Sequence, residues 1–241
     1  MANTQRTAII TGASQGIGAG LVEAFLQRGY NVVANSRNIT KTNPFPASPN
    51  LGLVDGDIGD PKTAAKIAET AISRFDRIDT LVNNAGIFIP KPFTEYTTEE
   101  FNSLVSITLA GFLYVTQQSV KQMLRQKSGS IVNISTTLVD QPISGVSAAV
   151  QVMVKGGLHS VTRALAAEYA KEGIRVNTVA AGVINTPMHK PETHAFLKAL
   201  SPAGRIGEVK EIVDAVLYLT DATFTSGEIL HVDGGAHAGK W

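Results

Sequence analysis

The stretch Thr11–Gly18, TGASQGIG, places glycines at 12, 16 and 18 between an apolar run and the start of a helical pattern. Glycine at such points permits a tight turn, close approach of backbone to a pyrophosphate, and close packing of a helix on a strand. The helix behind the turn would offer unpaired N–H groups and the positive end of its dipole to phosphate oxygens. Gly12, Ser14, Gln15, Gly16, Ile17 and Gly18 together make a candidate anion cradle. The plainer reading is a glycine-rich turn that binds nothing, and its place at the first strand–helix junction favours the cradle. Other chemistry is excluded outright. The chain has 0 cysteines, so disulfides, thiol catalysis and thiolate metal sites are absent.

Such a cradle needs a scaffold, and strand-like and helix-like segments alternate along the chain, the pattern of a parallel sheet. Strands are predicted at Thr7–Thr11, Asn31–Asn35, Leu51–Asp55, Thr80–Asn83, Ser130–Ser135, Ile174–Val179 and Glu228–Val232. Helices are predicted near Ile17–Arg28, then over Thr63–Phe75, Thr98–Arg125, Ala148–Lys171 and Glu208–Thr220. The fold class implied is α/β, a Rossmann-type doubly wound parallel sheet of about seven strands in one domain spanning residues 1–241. Between Asn38 and Asn50, Pro44, Pro46 and Pro49 oppose a regular crossover helix and predict an irregular loop.

Charge and hydropathy narrow the setting. The formal net charge is +1, from 21 basic and 20 acidic residues, without a basic stripe for nucleic acid or an anionic membrane. The polar start, Met1–Arg6, lacks the apolar core of a signal peptide, and no apolar run approaches a membrane span. A cytoplasmic protein acting on a small molecule, with no nucleic-acid or membrane partner, is the expectation.

With TGASQGIG, three further landmarks stand in order: Asn83-Asn84-Ala85-Gly86 after the fourth strand, GIRVNTVAAG over Gly173–Gly182, and Asp233-Gly234-Gly235. In these the chain resembles the short-chain dehydrogenase/reductase family. The resemblance implies a nicotinamide dinucleotide across the carboxyl ends of the strands, held by the glycine turn, Asn84, Ala85 and Gly86. It also implies a homo-oligomer, a tetramer or dimer built through the long central helices and the last strand. Asp57 and Ile58 resemble the family's adenine-contacting pair, Asp57 alternatively capping the next helix. Thr186 matches a threonine that touches the nicotinamide amide, or else caps a helix before Pro187. Where the second strand ends, at Asn35-Ser36-Arg37, an acidic residue would suit the ribose of NAD, whereas arginine suits a 2′-phosphate. Ser36 and Arg37 favour NADP(H) and leave NAD(H) open. Arg37 as a solvated loop residue, and Gln15 where NADP-preferring relatives often carry a basic residue, weigh the other way.

For catalysis, the resemblance implies a tyrosine as proton donor, a lysine four residues later holding the nicotinamide ribose, a serine that polarises the carbonyl, and a supporting asparagine. The segment GGLHSVTRALA sets the lysine at Lys155, which puts Gln151 in the tyrosine's place. The serine position falls on Thr136 by strand alignment or on Thr137 by counting back from Gln151. The asparagine position falls on Thr108, and the usual proline-glycine after the sixth strand is Ala181-Gly182. A carboxamide donates a hydrogen bond but has no proton to give at neutral pH. Lys155 acting through a water is the first substitute, ahead of His159, His189 and His194, whose plainer reading is a packed structural histidine for the first and ordinary loop histidines for the other two. The segment Pro187–Ala203 carries Met188, Phe196, Leu197 and Leu200, which would line a pocket for a small apolar substrate or simply pack on one another. Two functions follow. One is an NAD(P)(H)-dependent oxidoreductase acting on a small carbonyl or alcohol through an atypical proton donor. The other is a dinucleotide-binding pseudoenzyme, a redox sensor or partner subunit without turnover.

Overall fold

The computed structural model describes residues 5–239. In chain order the elements are β1 (Thr7–Thr11), α1 (Gly16–Gln27), β2 (Asn31–Ser36), α2 (Ile39–Thr42), β3 (Leu51–Asp55), α3 (Pro61–Phe75), β4 (Thr80–Asn83), α4 (Thr98–Val105) and α5 (Gly111–Gln126). They continue with β5 (Gly129–Thr136), α6 (Ala149–Tyr169), β6 (Ile174–Ala181), α7 (His194–Lys198), α8 (Val209–Asp221) and β7 (Ile229–Val232). The strands form one sheet in the order β3-β2-β1-β4-β5-β6-β7, every pairing parallel. The order reverses between β1 and β4, and ligands of such sheets bind outside the carboxyl ends of the strands at that point.

Strand alternation divides the core into two layers. Ala8, Ile10, Val32 and Ala34 face one cluster, with α1 and α8. Ile9, Val33, Ile67 and Val115 face the other, with α3 and α5. Both faces of the central strands are therefore apolar, which is why these strands read as short unbroken apolar runs.

The long helical stretch departs from its prediction. Residues Ser106–Ala110 form a π-helical segment between α4 and α5, with Thr108 inside it. The extra backbone length accommodates the loop after β3. Ser106 lies directly against Gly59, and Gly111 against Ile58, where a Cβ would meet Ile58 Cγ2 at 2.8 Å. Between Asn38 and Asn50 the chain is irregular as the prolines predict, except for the single turn of α2, which ends on Asn43 in the left-handed region.

Beneath the carboxyl ends of the strands lies a buried polar network. Asn83 Nδ2 donates to Asn133 Oδ1 at 2.9 Å and to Thr116 Oγ1 at 3.2 Å. Asn133 Nδ2 donates to Thr162 Oγ1 at 2.9 Å, which in turn meets Thr178 Oγ1 at 2.8 Å. This ties α6 to β4, β5 and β6. Thr162→Val would strand the Asn133 amide in the core and is expected to cost about 1–3 kcal/mol. Urea denaturation of Thr162→Val against Thr162→Ser checks this; equal midpoints for the two would show that the network contributes nothing.

Candidate active site

The site is built where β1, β4 and β5 end. Thr11, the last residue of β1, holds the next strand's exit through its hydroxyl: the amides of Asn84 and Ala85 both donate to Thr11 Oγ1 at 3.1 Å. The Asn84 carboxamide donates to the carbonyls of Thr11 and Gly12, at 2.9 and 3.1 Å. The turn is shaped by glycine itself. A Cβ on Gly12 would stand 2.7 Å from Ala85 Cα, with φ already at +65°, and one on Gly18 would run into the Gly12 carbonyl. Gly16, at φ +57°, faces Thr186, whose Cβ would lie 3.3 Å from an added methyl. Thr186 thus closes against the glycine turn and caps no helix; its carbonyl instead accepts from His189 N in a turn.

A dinucleotide fits these residues. The N-terminus of α1 has no side-chain cap and no acidic residue in its first turn, so its first N–H groups are open to an anion. Ser36 ends β2 half-buried and Arg37 after it is exposed, without an ion pair among the described residues. Asp57 is exposed and accepts from Gly59 N at 2.9 Å, whereas Asp60 caps α3. The alternative of Asp57 as the helix cap is thereby corrected, because the chain makes one more turn before α3 starts. Ile58 packs inward on Gly111, 6 % exposed.

Helix α6 turns a row of polar side chains toward the strand ends. Lys155, 9 % exposed, donates from Nζ to the Ile134 carbonyl at 2.7 Å. Its Nζ lies 3.3 Å from where a Gly86 Cβ would be. Burial pulls its pKa down from 10.5 to about 8, with no carboxylate to offset the desolvation. It is not a solvated helix lysine. One turn earlier Gln151, 2 % exposed, donates from Nε2 to the Ile87 carbonyl at 2.7 Å, and its Oε1 is buried without a partner. The carboxamide is thus turned onto the loop after β4.

The two threonines at the end of β5 part company. Thr136 Oγ1 accepts from Leu138 N at 3.3 Å, leaving its own proton free. Thr137 is buried and donates to Asp233 Oδ2 at 2.6 Å. Asp233, the partner that sequence spacing could not supply, also receives His237 N and Nδ1 at 2.9 Å. These bonds hold its carboxyl below the usual range against the opposing effect of burial. Thr108 is buried with a partnerless hydroxyl. His159 is buried with both ring nitrogens unpartnered, its Nδ1 3.4 Å from Asp140 Oδ2 but off hydrogen-bond geometry, and burial lowers its pKa. His194 Nε2 lies 3.2 Å from the His189 carbonyl. In the segment after β6, Met188 and Phe196 are exposed, while Leu197 and Leu200 are half-buried.

A family model described as enoyl-(acyl carrier protein) reductase matches residues 12–237. The chain belongs to the short-chain dehydrogenase/reductase family. By family it is an NAD(P)-dependent oxidoreductase. Among relatives, the 3-oxoacyl-(acyl-carrier-protein) reductase FabG of Salmonella typhimurium is 32 % identical over 240 residues, covering 96 % of this chain and 97 % of that one. The solved structure of ElxO with NADP bound superposes with a TM-score of 0.90 at 26 % identity, over 98 % of this chain and 100 % of that one. The 3-ketoacyl-(acyl-carrier-protein) reductase of Brucella melitensis complexed with NADH gives a TM-score of 0.90 at 28 % identity, over 96 % and 98 % of the two chains. Short-chain neighbours therefore hold either dinucleotide. Among the described residues no helix is long and apolar enough to cross a membrane.

The amine of Lys155 gives this site a pH signature. It loses its proton near pH 8 when folded and near 10.5 when unfolded, so the folded chain binds fewer protons between those values and stability rises with pH across that window. Below it the buried charge costs stability, a cost that Lys155→Met removes. Wild type is expected to gain about 3 kcal/mol on Lys155→Met between about pH 7 and about pH 11, read from paired urea unfolding curves. A difference that stays flat with pH would mean a solvated amine.

Proposed function

We propose that the chain is a working, NADP(H)-preferring enzyme that interconverts a small, fairly apolar carbonyl compound and its alcohol, with Lys155 managing the proton in place of a tyrosine. The observation that carries this reading is the burial of Lys155 beside Gly86 without a carboxylate partner, which brings its pKa to about 8. Bound nicotinamide dinucleotide supplies or takes up the hydride.

The chain's own residues divide the remaining work. Gly12, Ser14, Gln15, Gly16, Ile17 and Gly18 offer the phosphate cradle, with Asn84, Ala85 and Gly86 along the facing strand end. Arg37 receives the 2′-phosphate beside Ser36, which brings no carboxylate to repel it. Asp57 and Ile58 border the adenine, and Thr186 borders the nicotinamide. Thr136 takes the part of the serine, because its hydroxyl proton is free to polarise a carbonyl oxygen while that of Thr137 is held by Asp233. Lys155 carries three N–H donors, one spent on Ile134. Near its pKa it exists in both forms, so it can release or accept a proton through a water. Gln151 contributes position only: its carboxamide cannot give up a proton, and one of its two N–H donors is engaged by Ile87. Positioned proton transfer is worth about 10²–10⁴ in rate, so this site works more slowly than one with an intact tyrosine. The exposed Met188 and Phe196 suit an apolar substrate. Cytoplasmic location and a homodimer or homotetramer, with exposed Leu113 and Met153 at its contacts, complete the reading.

The carboxamide sealed against Ile87 favours a second reading, a dinucleotide-binding pseudoenzyme acting as a redox sensor or partner subunit. One experiment separates the two. NADPH and NADH are titrated against wild type, Arg37→Ala, Gln151→Tyr and Lys155→Ala, and carbonyl substrates are screened. NADPH is expected to bind more tightly than NADH and to weaken about tenfold in Arg37→Ala with NADH unchanged. Turnover in wild type should vanish in Lys155→Ala while NADPH still binds. Turnover confined to Gln151→Tyr would establish the pseudoenzyme, and no dinucleotide binding at all would overturn both.

A further inference from the structure

At the opposite edge of the sheet, where β4, β5 and β6 begin, lies a cavity of about 490 Å³. That size lies within the usual range for small-molecule sites, roughly 300–1,000 Å³. Its wall includes Arg6, Asp79, Ser130, Arg175, Asp221 and Phe224. Two observations distinguish it from an ordinary surface dent.

The first is charge. Asp79 is held by Arg77 through bonds of 2.7 and 2.6 Å and by Thr7 N at 2.7 Å. Asp221 is held by Arg28 at 2.6 Å and lies farther from Arg6, at 3.5 Å. Within the wall, Arg6 and Arg175 balance Asp79 and Asp221, and the shortest ion pairs of the two aspartates go to Arg77 and Arg28, which lie outside the wall. Arg175 has no carboxylate within ion-pair distance among the described residues. Its guanidinium donates to the carbonyls of Leu219, Thr220 and Thr225 at 2.6, 2.6 and 3.4 Å, three of its five N–H groups. Burial lowers its pKa, Asp221 only partly opposing. Two of these carbonyls belong to the last turn of α8, whose dipole favours a cation there, and two of the guanidinium's N–H groups remain for a ligand.

The second observation is the mixture of surfaces. Ser130 carries a buried hydroxyl without a partner. Phe224, at the other extreme, is fully exposed, in the loop that joins α8 to β7. Charge, an unmet hydroxyl and an unpartnered ring line one cavity, remote from the carboxyl ends of the strands where the glycine turn and Lys155 stand.

The geometry points to a second binding site here, for a small organic anion. Its carboxylate or phosphate end pairs with Arg6 and Arg175, and its apolar end rests on Phe224. The two carboxylates in the wall do not forbid it, because each is already neutralised by its own arginine. Direct pairing of a planar carboxylate or a phosphate with guanidinium favours these anions over a halide.

The test uses phenyl phosphate and benzoate, with phenol as the uncharged control, titrated into the full chain and followed by amide shifts in NMR spectra, with and without saturating NADPH. Saturable shifts are expected at Ser130, Gly173, Arg175 and Phe224 for both anions, with the same dissociation constant when NADPH is present. Affinity should fall about tenfold in Arg6→Gln, at the exposed rim, and fall also in Phe224→Ser. Shifts at Gly12–Gly18 alone, abolished by NADPH, would assign the anion to the phosphate cradle and overturn the proposal. Equal binding of phenol, or unchanged affinity in Arg6→Gln, would overturn it as well. The result is independent of turnover, so its failure leaves the oxidoreductase reading standing.

Discussion

Two backbone amides, of Asn84 and Ala85, converge on one hydroxyl, Thr11 Oγ1, and the arrangement of the whole crevice follows from that convergence. Parallel strands β1 and β4 must separate where the sheet's order reverses, since their crossover helices leave on opposite faces. Without a tie, the turn after β1 and the loop after β4 would drift apart and the ground between them would fill with side chains. The threonine hydroxyl and the Asn84 carboxamide hold them close enough that only glycine fits at positions 12 and 18. What remains between them is backbone N–H and open space, which is what a phosphate needs. The same closeness sets Gly86 under Lys155.

Helix α6 meets this junction in an unusual way for a core-facing helix. Gln151, Lys155, His159 and Thr162 are all buried, at spacings of four, four and three that put them on one face. An amphipathic helix would turn such residues outward. Here three of the four find partners: the Ile87 and Ile134 carbonyls accept from Gln151 and Lys155, while Thr162 accepts from the Asn133 carboxamide, meets Thr178 Oγ1 and donates to the Leu158 carbonyl of its own helix. Of the four, only His159 is left without a hydrogen bond, and burial, with smaller contributions from His231, Arg163 and Lys155, lowers its pKa against the pull of Asp140. Position along the helix therefore decides which polar group is anchored and which is simply enclosed.

The sheet was largely legible in the sequence because its strands are buried on both faces. Thr7–Thr11, Leu51–Asp55 and Thr80–Asn83 stand where the apolar runs put them, since nothing but a short apolar run satisfies a strand between two helical layers. The glycine turn was legible for the converse reason: few other uses require glycine at three such close points. What could not be read are the features made by contacts far apart in the chain. The π-helical turn at Ser106–Ala110 answers to Gly59 and Ile58 pressing from the loop after β3, while local propensity alone describes an unbroken helix. The fate of the two threonines was equally hidden. Thr137 meets Asp233 across 96 residues of sequence, and no spacing within SIVNISTT distinguishes it from Thr136. Gln151 was visible as a departure, but the side on which its amide is spent depends on where the loop after β4 folds back.

Lys155 presents the remaining problem, and energetics bear on it. A buried amine with only a carbonyl for partner costs stability at neutral pH, as its lowered pKa records. Uncharged side chains of similar length would fill the same space without that cost, and buried charged groups are commonly replaced by apolar ones with no loss of stability. The position thus holds a residue that folding alone does not select. Nor does a purely electrostatic role in the free protein explain it, because the site presents no anion of its own beside Nζ: Asp140 and Asp233 are engaged with histidines and Thr137. On the proposed reading, an amine beside Gly86 with two N–H groups unspent is complementary to a bound dinucleotide. A bound dinucleotide would bring hydroxyls and negative charge into that neighbourhood, raise the amine's pKa, and turn the cost of burial into affinity. The proton affinity of Lys155 and the occupancy of the cradle are then one coupled quantity, whichever way the proton moves afterward.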